Sequence, residues 1–293
     1  CCCMSEDTSA QCDGRSVALE REYDFRWRHP DRETILARYV SESERVLAGR
    51  AAVIDLAYGA GARERIDVFP AGQPGAPVHI FFHGGYWRSH RKEDYRFVAE
   101  AGRTTGAATF VVEYDLAPQV TLDAIVEQAC RAVLWVRARA SDFNGDPTRI
   151  VVSGHSAGGH LAAMLALTDW TAHGAPGDTI RGCLAVSGVF DLAPIARTSI
   201  NDDLKLDAAA ILRNSPIHQV RPGHAPITLA YGVGETDAFV QQSCRFAAAL
   251  VQAGRPHRLM ALPALHHYDI VLELGRPDST LAMALCALLG NDG

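Results

Sequence analysis

Short apolar runs, rich in β-branched and aromatic residues, alternate along this chain with longer stretches whose apolar positions recur at helical spacing. The first helical pattern covers 23–48, with Ile35, Leu36, Tyr39 and Val40 on its buried face. Segments 53–58 and 65–69 alternate in the manner of antiparallel edge strands around the turn Gly59-Ala60-Gly61. A loop over 72–77 leads into VHIFF at 78–82, a buried strand. Helices are then predicted over 92–105, 121–140, 239–253 and 279–289, and strands over 107–114, 183–187, 227–231 and 257–262. Between them Ile150, Val151 and Val152 form one more strand, followed by a helix carrying Leu161, Met164, Leu165 and Leu167. Such alternation predicts an α/β fold, a mainly parallel central sheet with helices on both faces. Residues 191–224 lose the rhythm and are expected to form a small cap over the strand ends. Residues 1–20 are polar and read as a disordered tail, which leaves 21–293 as a single domain.

Composition narrows the class. With 293 residues, 48% of them hydrophobic, the chain has the length to bury a large core. A net charge of −6 gives no basic surface for nucleic acid or an anionic membrane, and no apolar run approaches a membrane span. The N-terminus lacks the basic and apolar regions of a signal peptide; Cys1 to Cys3 read as an extension, with Met4 the expected natural start. Cys130, Cys183, Cys244 and Cys286 stand singly inside apolar patterns and no CxxC occurs, so neither a disulfide framework nor structural zinc is expected. A cytoplasmic location follows from that usage.

The chemistry gathers around one stretch. Gly154-His155-Ser156-Ala157-Gly158 lies between the strand at 150–152 and the following helix. A serine there sits on a sharp strand-to-helix turn, its hydroxyl exposed beside the unpaired N–H groups of a helix N-terminus. A serine hydroxyl needs a base, normally a histidine oriented by a carboxylate. The base should come from the loop after the last strand, where His266 and His267 compete, and the acid from the loop before it, where Glu235 and Asp237 compete. Their spacing leaves both choices open. Ala157, Gly84 and Gly85 are candidate oxyanion donors, and His83, Tyr86 and Trp87 candidate pocket residues. The pair His266 and His267 with Asp269 could also be read as a metal site, but partner ligands at helical spacing are missing, so no metal and no cofactor are expected.

HGGYW at 83–87, GHSAGGHLAAM at 154–164 and LHHYDIV at 265–271 together resemble the α/β-hydrolase-type kynurenine formamidases (arylformamidases), relatives of the hormone-sensitive-lipase group of esterases. The likeness extends through TLDAIVEQ at 121–128, VSGVFDLAPI at 186–195, RNSP at 213–216 and FVQQS at 239–243. It implies an α/β-hydrolase fold, His267 as base and Glu235 at the acid position, with Asp237 as second choice. It also implies a metal-independent serine hydrolase that cleaves N-formyl-L-kynurenine to kynurenine and formate. The rival is a promiscuous carboxylesterase for short acyl aryl esters, since fold and site do not fix the substrate. Arg88 and Arg197 are candidates for the substrate's carboxylate. The expected partner is a small molecule, with a homodimer left open.

Overall fold

The computed structural model describes residues 15–26 and 28–290. Its frame is an eight-stranded sheet: β1 (Val53–Ala57), β2 (Arg65–Phe69), β3 (Ala76–Phe82), β4 (Ala108–Val112), β5 (Gly145–His155), β6 (Gly182–Val186), β7 (Ile227–Gly232) and β8 (His257–Leu262). The order across it is β1-β2-β4-β3-β5-β6-β7-β8. Only β1 with β2 and β2 with β4 pair antiparallel; the six strands from β4 to β8 run parallel. The sheet is therefore mainly parallel, with the antiparallel edge where the alternating segments predicted it.

Helices cover both faces: α1 (Val17–Tyr23), α2 (Arg32–Gly49), α3 (Leu122–Arg139), α4 (Ala157–Leu167), α5 (Asn201–Leu204), α6 (Ala208–Asn214), α7 (Asp237–Gln252) and α8 (Thr280–Leu289). The pleat divides the core. Val78, Ile80 and Phe82 point toward α3 and α4, whereas Phe81 points the other way, into a second cluster with Tyr39, Tyr95 and Leu285. The segment Lys92–Thr105 winds in three-residue turns rather than the predicted α-helix. Its buried Lys92, Tyr95, Val98 and Ala101 stand three apart, so the tighter winding keeps them on one face.

Two departures matter for function. The expected 23–48 helix starts only at Arg32, and α1 occupies part of the predicted tail, capped by Ser16, whose hydroxyl accepts from the Leu19 N–H. The rest of the expected tail, 1–14, including Cys1 to Cys3, lies outside the described residues. α1 is tied down at its start, where the Ser16 N–H donates to the Arg197 carbonyl at 3.0 Å, and along its second half. Glu20 accepts from Ser199 in the predicted cap region, and Glu22 from the Ala238 N–H of α7.

Candidate active site

Ser156 occupies the strand-to-helix turn at φ 57° and ψ −117°, a strained left-handed conformation for a residue with a side chain. Two glycines permit it. A Cβ on Gly154 would stand 2.1 Å from the Gly158 carbonyl oxygen, and one on Gly158 would stand 1.9 Å from that of Phe82. Backbone meets backbone there, and no side chain could yield. The Ser156 N–H donates to the Val186 carbonyl at 2.8 Å, pinning the turn to the next strand.

A second close approach assembles the rest. The loops after β7 and β8 touch at Gly232, where a Cβ would lie 2.3 Å from the Leu265 carbonyl oxygen; the Gly234 N–H donates to that same oxygen at 2.8 Å. This contact carries Glu235 and His267 together. His267 Nε2 lies 3.0 Å from Ser156 Oγ, and its Nδ1 lies 3.2 Å from Glu235 Oε2. The other Glu235 oxygen accepts from the Ser187 hydroxyl at 2.6 Å and the Gly232 N–H at 2.7 Å. Asp237, the alternative acid, is exposed at the start of α7. His266 turns away to stack on His29, its ring centroid 4.1 Å from that neighbour.

Burial sets the protonation states. It pushes the Glu235 carboxyl up, opposed by the Ser187 and Gly232 donors, and pushes the His267 imidazole below its ordinary value. The resting imidazole is thus neutral and able to accept a proton. A hydroxyl, a neutral imidazole and a carboxylate in one hydrogen-bonded line can activate the hydroxyl as a nucleophile.

The predicted oxyanion residues separate. Ala157 opens α4, so its N–H has no acceptor inside the helix. Gly85, at φ 110°, lines the cavity next to Ser156. Gly84 packs against His155 and the Ser156 Cβ, and its N–H faces the Tyr95 hydroxyl.

Of the three predicted pocket residues only Tyr86 lines the cavity. His83 is fully buried behind it, bonded through Nδ1 to the Gly84 carbonyl at 2.7 Å and through Nε2 to Glu113 at 2.9 Å. Trp87 is likewise buried, edge-on to His160. Both brace the HGGYW loop from within. A histidine or tryptophan next to a glycine pair reads the same in sequence whether it faces the substrate or the core.

The cavity, about 260 Å³, is walled by residues the sequence reading passed over. Phe25 stacks on the His267 ring with centroids 4.2 Å apart and planes 20° apart, and Tyr268 stands edge-on to both. Tyr23 closes the same wall, its carbonyl accepting from the Tyr86 hydroxyl at 2.8 Å. The available signal was the serine-capped, helix-forming VALEREY segment followed by Phe25. Arg26, Arg32 and Arg88 contribute cations to the lining, with Glu20, Asp24 and Glu33 among them. Arg197 is not among the lining residues.

The family model for the alpha/beta hydrolase fold matches residues 79–223. A kynurenine formamidase of Danio rerio is 33% identical over 85% of this chain and 86% of its own length. That of Salmo salar is 31% identical over 93% and 96%. The chain belongs to the kynurenine formamidase family of α/β hydrolases. Among solved structures, a candidate thioesterase of silicibacter sp. tm1040 superposes with a TM-score of 0.81 at 29% identity, covering 92% of this chain and all of the other. The protein is a hydrolase enzyme.

Among the described residues, His29, Asp31 and His266 could converge on a metal ion. The His266 ring is already engaged: Nδ1 accepts from the Tyr268 N–H at 3.1 Å, and Nε2 faces Asp269 at 3.4 Å. A second group, Glu127, Cys130 and His173, lies on other elements.

Proposed function

We propose that this hydrolase cleaves the formamide bond of N-formyl-L-kynurenine, with Ser156 as nucleophile, His267 as base and Glu235 as its orienting acid. The observation that carries the reading is the continuous line from Ser156 through His267 to Glu235, opening into a small aromatic-walled cavity. Phe25, Tyr86 and Tyr268 suit an aryl group, and the mixed charges in the lining suit an amino-acid head, with Arg88 rather than Arg197 within reach of its carboxylate. Kinship with two kynurenine formamidases supports the same substrate class.

Ser156 Oγ attacks the formyl carbon while His267 Nε2 takes its proton. Glu235 stabilises the imidazolium, and the N–H groups of Ala157 and Gly85 receive the oxyanion, with Gly84 shaping the loop. His267 then gives its proton to the departing arylamine, leaving formyl-serine. Water attacks that ester, His267 taking its proton and returning it to Ser156 Oγ as formate leaves. An arylamine is a better leaving group than an alkylamine, so the chain needs no metal in this reading. From the expected cap region, Ser199 and Ile200 reach the cavity and act with α1 as its cover, whereas 221–224 lie away from the cavity.

The second reading, a short-acyl esterase, draws on the same line of residues and on esterase relatives. Steady-state hydrolysis of N-formyl-L-kynurenine beside p-nitrophenyl acetate separates the two. A formamide kcat/KM in the range of dedicated enzymes, about 10⁴–10⁸ M⁻¹s⁻¹, lost in Ser156→Ala and indifferent to chelator, upholds the proposal. Turnover of the ester alone refutes the substrate; formamide turnover that survives Ser156→Ala refutes the mechanism.

A further inference from the structure

Ser156 lies at the C-terminal end of β5. The loops entering β6, β7 and β8 therefore gather at the opposite end of the parallel sheet, and they enclose a second groove of about 820 Å³. Two arginines reach into it from different loops. Arg255 Nη2 donates to the Ala166 carbonyl at 2.6 Å, and Arg221 Nη2 to the Leu167 carbonyl at 2.5 Å. With Thr168 on Met164 and Trp170 on Leu165, they complete the capping of the last carbonyls of α4.

Capping leaves most of their charge unanswered. Arg255 is only 6% exposed; its Nη1 donates to the Arg221 carbonyl at 3.3 Å, and its Nε has no hydrogen-bond partner. Among the described residues neither Arg255 nor Arg221 forms an ion pair. Of the groove's acids, Asp178 pairs with Arg181 at 3.0 Å, and Asp169 accepts from the Thr171 N–H and hydroxyl and feels the Arg221 charge only from beyond ion-pair distance. The partial negative charge at the C-terminus of α4, about half an electron, is smaller than two guanidinium charges. Gly223 lays its bare face on Arg255, where a Cβ would stand 2.2 Å from Nη1, so the loop holds the guanidinium at the groove floor. Burial and the neighbouring Arg221 charge both disfavour the Arg255 cation, which an anion would relieve. Leu167 and Ile180 give the groove an apolar side.

We propose that this groove binds a small organic anion, an aryl or alkyl phosphate or carboxylate, its head between Arg221 and Arg255 and its body against Leu167 and Ile180. Nothing in the hydrolytic site requires it. The test is calorimetric titration of the whole protein with phenyl phosphate, at ionic strength held constant with KCl. We expect saturable binding at one site, weakened about tenfold or more in Arg221→Gln and unchanged in Arg88→Gln, which alters the Ser156 cavity instead. Should Arg221→Gln fail to fold, Arg181→Gln at the groove's rim is the substitute, with a severalfold loss expected. Absence of saturable heat overturns the proposal. So does binding that survives the groove variants, whether or not it disappears in Arg88→Gln.

Discussion

Acidification from pH 7 to 5 should remove most of this protein's stability, through histidines that the fold holds neutral. His79, His155 and His160 are buried, and each is bonded through Nε2 alone: to Ser153 Oγ, the His267 carbonyl and the Asn214 carbonyl. Their Nδ1 atoms have no partner. For His155 and His160 the acceptor is a carbonyl, so the proton sits on Nε2 and Nδ1 is bare. A second proton would create a buried N–H with nothing to receive it. Burial accordingly pushes His79 and His155 down to about 3, and His160 to about 4.

In the unfolded chain these side chains titrate near pH ~6.5. Their stabilisation is therefore complete above that value and is lost as pH falls toward the native values, because the unfolded state then binds more protons. His267 and His90, pushed down by burial to about 3 and about 4, act in the same sense. At pH 5 each of the five costs about 2 kcal/mol, or about 10 kcal/mol together, comparable to a typical total of about 5–15 kcal/mol. Glu235 works in the opposite sense, since its raised value favours the folded state as pH falls, but it is one group against five. Urea unfolding at fixed ionic strength between pH 7.5 and 5 measures the slope. His160→Gln keeps a donor for Asn214 and cannot titrate, so its slope should be shallower by about one fifth. A flat profile, or an unchanged slope in His160→Gln, refutes the argument.

Three further outcomes are expected. Glu235→Gln should lower kcat/KM about 10³-fold or more while Asp237→Asn changes it less than about twofold, and the reverse pattern would move the acid to Asp237. Gly158→Ala drives a Cβ into the Phe82 carbonyl, so it should cost about 3 kcal/mol or leave no folded protein, as its urea midpoint would report. Phe25→Ala removes the ring covering His267, so the base should regain hydration, its pKa should rise, and the acid limb of the kcat/KM profile should shift to higher pH; an unmoved limb would show that Phe25 does not set the base.

What could be read from the sequence followed from how local its physics is. The strands of the parallel core announce themselves because both faces are buried, which makes each an unbroken apolar run. The serine turn is equally local: glycines at 154 and 158 flank it, and the structure shows the backbone contacts that forbid anything larger. The choice between Glu235 and Asp237 is different in kind. Both follow β7, and what separates them is the contact between Gly232 and the Leu265 carbonyl, from a loop that arrives later in the chain. Only the resemblance to known sequences could prefer Glu235, because the deciding contact has no local signature.

The segment from Ser16 to Phe25 departs from the expected disorder for a related reason. A polar, charged stretch fails the composition test for order, since alone it cannot bury enough apolar surface to offset its conformational entropy. Here it does not act alone. Tyr23 and Phe25 bury themselves against Phe239 and His267, while Glu20 and Glu22 spend their charges on backbone N–H groups of the cap region and α7. Those acids, which made the segment look like tail, hold it in place. The same contacts put an aromatic ring on the catalytic histidine proposed here, so this segment is both a structural brace and the wall that keeps His267 dry. Its order and the base's depressed affinity for protons have one cause, which is why truncating it should disturb the pH profile before it disturbs the sheet.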